Sequence, residues 1–361
     1  MQAIFDTYLP LVETEVNRAL GGRGEALLYQ MIRYHLGLDE PSLPSRQGSA
    51  APLPSSGKRV RPTLCLLSCE AAGGSAELAA PAAAALELIH AFTLIHDDVA
   101  DGDEVRRGRP TVWRRWGVGQ AITAGDALYS LANLCLARLD GGRLGPELAL
   151  AVHQEANAAV LAVCEGQQLD ISFEGRMDVA VDDYLHMVGL KTGRLLAAAG
   201  AIGCLIGSAG VDTCEALRRF GHHLGLAFQI RDDILGIWGD PTEMGKPVGG
   251  DLLRRKRSLP VIHALSQAQN DPRPPDAGGT PALPAQAGEP VVERMAAGAS
   301  SFEEAAALAA EMEAGGSRAY CEQVAGEALA AALAELDPLP LLPPHGARLR
   351  DLARHLAGRT R

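Results

Sequence analysis

Asp97-Asp98-Val99-Ala100-Asp101 closes a long apolar run, Ala82 to Ile95, whose charged or titratable interruptions are Glu87 and His90. Arg106-Arg107-Gly108 follows after four residues. Three carboxylates this close repel one another and need a cation to stay ionised together. On a helix Asp97 and Asp101 lie about 40° apart on one face, with Asp98 flanking them. Oxygen ligands on a rigid element suit Mg2+, which takes few protein carboxylates and fills its shell with phosphate oxygens and water. The spacing fails the one-three-five acidic pattern of a calcium EF-hand in every register. The two arginines point to an anion at the same place. Read alone, the stretch also fits a solvated acidic turn, since Asp103 and Glu104 continue it.

A second acidic pair favours the metal reading. Asp232-Asp233 lies inside Gly225-Leu226-Ala227-Phe228-Gln229-Ile230-Arg231-Asp232-Asp233-Ile234-Leu235-Gly236, another apolar helical stretch. Acidic pairs in two buried helices destabilise a fold unless they meet cations. Basic elements interleave with them. Gly57-Lys58-Arg59-Val60-Arg61-Pro62 opens a helix, Lys191-Thr192-Gly193-Arg194 sits at a helix junction, Gly245-Lys246-Pro247 follows the second pair, and Lys256 lies beyond it. Arginine matches the oxygen geometry of phosphate. Carboxylates, metal and a phosphorylated ligand therefore form one expected site.

The elements that position these residues are helical. Of 361 residues, 47% are hydrophobic, 21% charged and only 4% aromatic, with abundant Ala and Leu, which favours helix over strand. Helical periodicity predicts helices over about 3–20, 24–37, 60–72, 76–100, 119–139, 146–170, 180–191, 193–209, 213–238, 258–267, 302–312, 316–335 and 347–358. Proline-rich stretches predict loops at 39–56 and 269–290. The same helical composition continues on both sides of each, so 1–361 reads as one all-α domain. The formal charge of −11 argues against general nucleic-acid binding, which needs a basic surface. Seven scattered cysteines read as reduced thiols of a cytoplasmic protein. Leu195 to Val211 carries no charge but is rich in Gly and Ala, so it reads as a buried core helix and not as a membrane span.

Together these motifs resemble the trans-isoprenyl diphosphate synthases, the polyprenyl synthetase family, in its short-chain group of geranylgeranyl and farnesyl diphosphate synthases. The resemblance is carried by Gly57 to Pro62, Glu87-Leu88-Ile89-His90, Leu94-Ile95-His96-Asp97-Asp98 through Arg109-Pro110-Thr111, Ala124-Gly125-Asp126-Ala127, Glu165-Gly166-Gln167, Lys191-Thr192, and Phe228-Gln229 through Lys246-Pro247, in that order. It implies an isoprenoid-synthase bundle of helices around a deep central cavity, and a homodimer. It also implies a Mg2+-dependent prenyltransferase that condenses isopentenyl diphosphate with an allylic diphosphate (dimethylallyl, geranyl or farnesyl). Three Mg2+ ions per substrate-bound site are implied, held through Asp97, Asp98, Asp101, Asp232 and Asp233. By the same resemblance Arg106, Lys191, Thr192, Gln229, Lys246 and Lys256 serve the allylic substrate. Gly57, Lys58, Arg61, His90 and Arg107 match the isopentenyl diphosphate pocket.

Two positions bear on the product. The family's second motif is Asp-Asp-x-x-Asp, but the fifth position here is Gly236, with Asp240 four residues on. That substitution leaves Asp232, the position implied to touch metal. Phe92 lies five residues before Asp97, with Leu88 one turn further, where a bulky side chain limits product length in the family. The first motif lacks the two-residue insertion of many bacterial farnesyl synthases, so the resemblance implies a C20 product, geranylgeranyl diphosphate, with farnesyl diphosphate the alternative. A class I terpene cyclase needs only one diphosphate pocket and lacks a use for Lys58, Arg61, His90 and Arg107. A non-catalytic binding subunit of a partner synthase has no need of the aspartates.

Overall fold

The computed structural model describes residues 2–23, 26–38, 59–140, 144–239, 249–270, 294 and 298–358. In chain order the helices are α1 (Gln2–Leu20), α2 (Leu27–Leu36), α3 (Val60–Ala71), α4 (Ala76–Ala100), α5 (Val112–Trp116), α6 (Val118–Ala137), α7 (Pro146–Phe173), α8 (Val181–Val188), α9 (Arg194–Ile206), α10 (Val211–Trp238), α11 (Gly250–Leu253), α12 (Leu259–Asn270), α13 (Phe302–Ala314), α14 (Ser317–Leu336) and α15 (His345–Ala357). The fold is all-α. Its one described sheet is an antiparallel hairpin of β1 (Val105–Arg106) and β2 (Arg109–Pro110). The loop expected at 39–56 lies outside the described residues. Of the loop expected at 269–290, the first two residues still belong to α12, and the rest lies outside.

The residues form two compact units. One comprises 1–160, 195–221 and 335–352. Its centre is α4, which packs on α1, α3 and α6. Ala82 to Leu86 and Leu88 are fully buried, and each leucine so buried contributes about 1.5–3 kcal/mol. The other unit comprises 161–194, 222–334 and 353–361. One apolar cluster there joins Tyr184, Met187, Ile230, Ile234, Leu259 and Ile262, and a second joins Ile237, Leu252, Leu265, Leu308 and Met312. Helix α13 shows why its sequence starts a helix where it does. The Ser301 hydroxyl accepts the N–H of Glu304, and the Glu304 carboxylate accepts the N–H of Ser300. The first bond satisfies a donor that the first turn leaves open, and the second ties down the residue before the N-cap.

The main departure from the expected helices is at 191–194. Lys191-Thr192-Gly193-Arg194 is no junction: a π turn at Gly189–Gly193 carries the backbone from α8 into α9. Such wide turns push their residues out of helical register. Here close packing selects it. A Cβ at Gly166 of α7 would collide with the backbone nitrogen of Lys191, and one at Gly225 of α10 would stand 2.6 Å from Cα of Gly193. Among the described residues two helices are long and apolar enough to cross a membrane, Ala76–Ala100 and Val181–Ile206, but 67% and 78% of their apolar windows are buried within the protein. The second includes most of the uncharged segment that reads as core. Gly166→Ala is expected to lower stability by about 1–3 kcal/mol through overpacking, measured by urea unfolding, with α8 and α9 helicity retained by circular dichroism.

Candidate active site

In the first unit the C-terminal turn of α4 presents the first acidic motif. Asp98 is buried, and Arg106 of β1 donates from Nε to its Oδ1 at 2.5 Å. Its other oxygen, Oδ2, is buried with no hydrogen-bond partner. Burial pushes the Asp98 carboxyl up to about 6; Arg106 opposes that rise, and Asp103 and Asp97 add to it. A buried carboxylate oxygen without a donor is a place for a cation. Asp97 lies in the last turn of α4, and Asp101 is its C-cap, donating its N–H to the Asp97 carbonyl. Among the described residues no three His, Cys, Asp or Glu side chains converge on one metal position. Carboxylates on one helix end, one of them with an open oxygen, fit Mg2+, which keeps water and phosphate oxygens.

A pocket in this unit is lined by Tyr34, His35, Asp98, Arg106, Arg107 and Arg109. Its electrostatics are those of an anion site. Burial drives the His35 imidazole down to about 3, and Arg106, Arg107, Arg59 and Arg109 push it the same way. Burial likewise holds His90 well below its usual range, helped by Arg61, Arg107, Arg106 and His35. Both rings are thus neutral at pH 7 and can donate without adding charge. Burial lowers the Arg107 pKa as well, with Glu87 and Asp98 opposing. Arg59 forms a buried ion pair with Glu87, the one acid inside the apolar run of α4, and donates from Nη2 to the Leu36 carbonyl at 3.2 Å.

Helix α4 also carries the expected chain-length residues. Leu88 is fully buried. Phe92 is half-buried, edge-on to His96 at 5.3 Å between ring centroids and tilted against Tyr129 at 5.5 Å.

In the second unit Asp233 is the hub. It is buried, and its Oδ2 accepts the Tyr184 hydroxyl and, at 3.2 Å, the Leu259 N–H. Its Oδ1 accepts Gln229 Nε2 at 3.1 Å, with Lys256 Nζ at 3.7 Å. Burial and the Asp233 charge together drive the Tyr184 hydroxyl far above its ordinary pKa, so it remains a donor. Gln229 accepts the Thr192 hydroxyl at 3.0 Å. Lys191, on the π turn, donates to Asp170 Oδ2 at 2.6 Å. The chain Thr192–Gln229–Asp233–Lys256 thus links four expected site residues. Asp232 stands one residue before this hub on α10 and is half-buried. Gly57, Lys58 and Lys246, also expected at the site, lie outside the described residues.

Sequence reasoning assigned no role to Tyr34, His35, Arg59, Arg109, Gln167 or Asp170. Both polar ends of the Gln167 amide are buried without a partner, as in a side chain that awaits a ligand. Asp170 follows Gln167 by three residues on α7, a spacing that puts both on one face and was readable in the sequence.

Known proteins are similar to this chain over most of its length. The family model described as polyprenyl synthetase matches residues 49–274. The chain is 46% identical over 251 residues to a geranylgeranyl diphosphate synthase of Mycobacterium tuberculosis, covering 70% of this chain and 69% of that one. It is 36% identical over 347 residues to a (2E,6E)-farnesyl diphosphate synthase of Mycobacterium bovis, covering 96% and 90%. Among solved structures, a polyprenyl synthetase from Streptomyces coelicolor A3(2) superposes with a TM-score of 0.82 at 36% identity, covering 98% of this chain and 99% of that one.

The neutral histidines set a pH dependence. The folded His35 pKa lies below the unfolded value, so below pH 6.5 the unfolded chain takes up a proton that the folded one refuses. Stability is full above pH 6.5 and falls as pH drops toward 3, by about 1.4 kcal/mol per pH unit for one such group. His35→Gln should therefore gain about 2–3 kcal/mol relative to wild type between pH 7 and pH 4.5, read from urea unfolding of the ligand-free protein. A constant difference across that range would contradict the buried, neutral state.

Proposed function

The chain belongs to the polyprenyl synthetase family and is a prenyltransferase that makes isoprenyl diphosphates, and we propose that it condenses isopentenyl diphosphate with an allylic diphosphate, head to tail, to give geranylgeranyl diphosphate. The observation that carries this reading is the first-unit pocket, where a cluster of arginines and the neutral His35 adjoin a buried carboxylate whose second oxygen has no donor. Such a pocket is made for diphosphate and divalent metal together.

In this reading Asp97 and Asp101 would hold Mg2+ at the allylic diphosphate, Asp98 would support that ion with its second oxygen while its first fixes Arg106, and Asp232 would hold a further ion. Asp233 orients the Gln229, Thr192 and Lys256 side chains. Bound Mg2+ would neutralise charge on the departing diphosphate. Arg106 binds that diphosphate and stabilises the charge that grows on it as the allylic C–O bond breaks. By the family resemblance Lys191, Thr192, Gln229 and Lys256 of the second unit also serve the allylic substrate. Arg107, Arg61 and His90 hold isopentenyl diphosphate so that its double bond supplies the electron pair for the new C–C bond. A proton then leaves the neighbouring carbon to the released diphosphate, which closes the new trans double bond. Apolar side chains of α4 exclude water from the cation, and Phe92 ends the space for the tail. The residues 1–361 act as one such domain, in the cytoplasm, as a homodimer. Exposed Val118, Ile122, Leu134 and Leu150 of the first unit offer apolar surface for the second copy.

Product analysis by mass, with each allylic primer in turn plus isopentenyl diphosphate and Mg2+, should give the C20 diphosphate as end product. A C15 end product would favour the farnesyl reading, release of diphosphate without isopentenyl diphosphate a cyclase, and no turnover a binding subunit. Asp97→Ala with Asp101→Ala should lower kcat/KM at least ~1000-fold, about 4 kcal/mol of transition-state stabilisation. Phe92→Ala should lengthen the product beyond C20, and an unchanged product would remove Phe92 from this role.

A further inference from the structure

The hairpin that carries Arg106 and Arg107 is too small to hold its own shape. Each strand has two residues, registered Val105 to Pro110 and Arg106 to Arg109, and even longer isolated hairpins are marginal in water. Its turn is Arg107-Gly108, both left-handed, with φ of 53° and 74°. Positive φ at both central residues matches the tight turn that joins two twisted strands. Arg107, which carries a Cβ, adopts it against a steric preference. Outside contacts must therefore fix the loop.

The contacts fall into two sets. One set anchors the entry and exit. Arg106 pairs with Asp98 at 2.5 Å, the Thr111 N–H donates to the Glu104 carbonyl at 2.9 Å, and Trp113 Nε1 donates to the Asp103 carbonyl at 2.8 Å. The other set holds β2 and comes from one side chain on α2. The Tyr34 hydroxyl donates to the Pro110 carbonyl at 2.8 Å. The Arg109 guanidinium lies over the Tyr34 ring at 3.9 Å from its centroid, and Arg115 lies 4.9 Å from it. Trp116 meets the same ring edge-on at 5.1 Å. Tyr34 is only 6% exposed, so these attractions act with little competition from water.

We propose that Tyr34 is a positioning residue for the isopentenyl diphosphate pocket. By fixing both residues of β2 it sets where Arg107 stands at the hairpin tip, while Arg106 is set separately by Asp98. This rests on the reading that Arg107 serves isopentenyl diphosphate and Arg106 the allylic diphosphate. It follows that loosening Tyr34 weakens one substrate and spares the other. The two adjacent arginines can thus be moved independently.

The test is Tyr34→Phe in the full chain, which keeps the ring between the guanidinium groups and removes the hydroxyl, beside Tyr34→Leu, which removes both. In Tyr34→Phe, KM for isopentenyl diphosphate should rise about 3- to 10-fold, the effect of one lost neutral hydrogen bond. KM for the allylic substrate and kcat should stay within about twofold, as should the population of folded protein judged by thermal melting. Tyr34→Leu should show the same selectivity more strongly, and if it fails to fold the Phe variant still decides. A folded Tyr34→Phe in which both KM values rise together, or neither moves, overturns the proposal. Wild-type protein that consumes no isopentenyl diphosphate would instead overturn the reading of the site, and that is seen before any variant is made.

Discussion

Charge taken out of water must meet opposite charge or a hydrogen-bond donor, and both units are organised around that requirement. In the first unit the apolar wall of α4 is interrupted by Glu87 and ends at Asp98. Glu87 is answered by Arg59, which enters from the start of α3 with its own backbone in the left-handed region. Asp98 is answered on one oxygen by Arg106 from the hairpin. Two acids on one helix thereby fix the two segments that flank it. In the second unit Asp233 does the same for α8, α10 and the start of α12, through Tyr184, Gln229 and Leu259.

What these pairs leave over is informative. Arg106, Arg107 and Arg109 line one pocket, and burial, aided by these charges, keeps His35 and His90 neutral. A cluster of cations in a protein of net charge −11 is a local device, kept in place because folding energy elsewhere can carry it. Diphosphate would neutralise that cluster. Asp98 Oδ2 is the mirror case, an acidic oxygen waiting for positive charge. The ligand-free protein thus holds both halves of an ion pair whose partners arrive with the substrate.

Much of this was legible in the sequence. The apolar periodicity located α4, α6 and α10 within a few residues, because burial on one face leaves a 3.6-residue signal. The paired aspartates stood out because acids are costly inside such helices. The hairpin at 105–110 was not legible: two-residue strands carry no alternation, and its turn is marked only by Gly108. The π turn at 189–193 has no mark of its own in the sequence, where glycines at both ends look like the breaks of a helix junction. Tyr34 and His35 went unnoticed on α2 because a single aromatic or histidine on an amphipathic helix has the spacing of ordinary core.

The class of fold, the helices that carry the site and the residue types of the chemistry can all be read from the chain's residues in order. They follow from composition and from spacings of one to a few residues, which any helix converts into geometry. Which acids are spent on the protein and which remain for a ligand is set by packing. Asp98 and Asp233 look alike in the sequence, each next to another aspartate. One keeps an oxygen without a partner, and the other has both oxygens taken by side chains and a backbone N–H. That difference depends on donors from segments remote along the chain, and only packing brings them within reach.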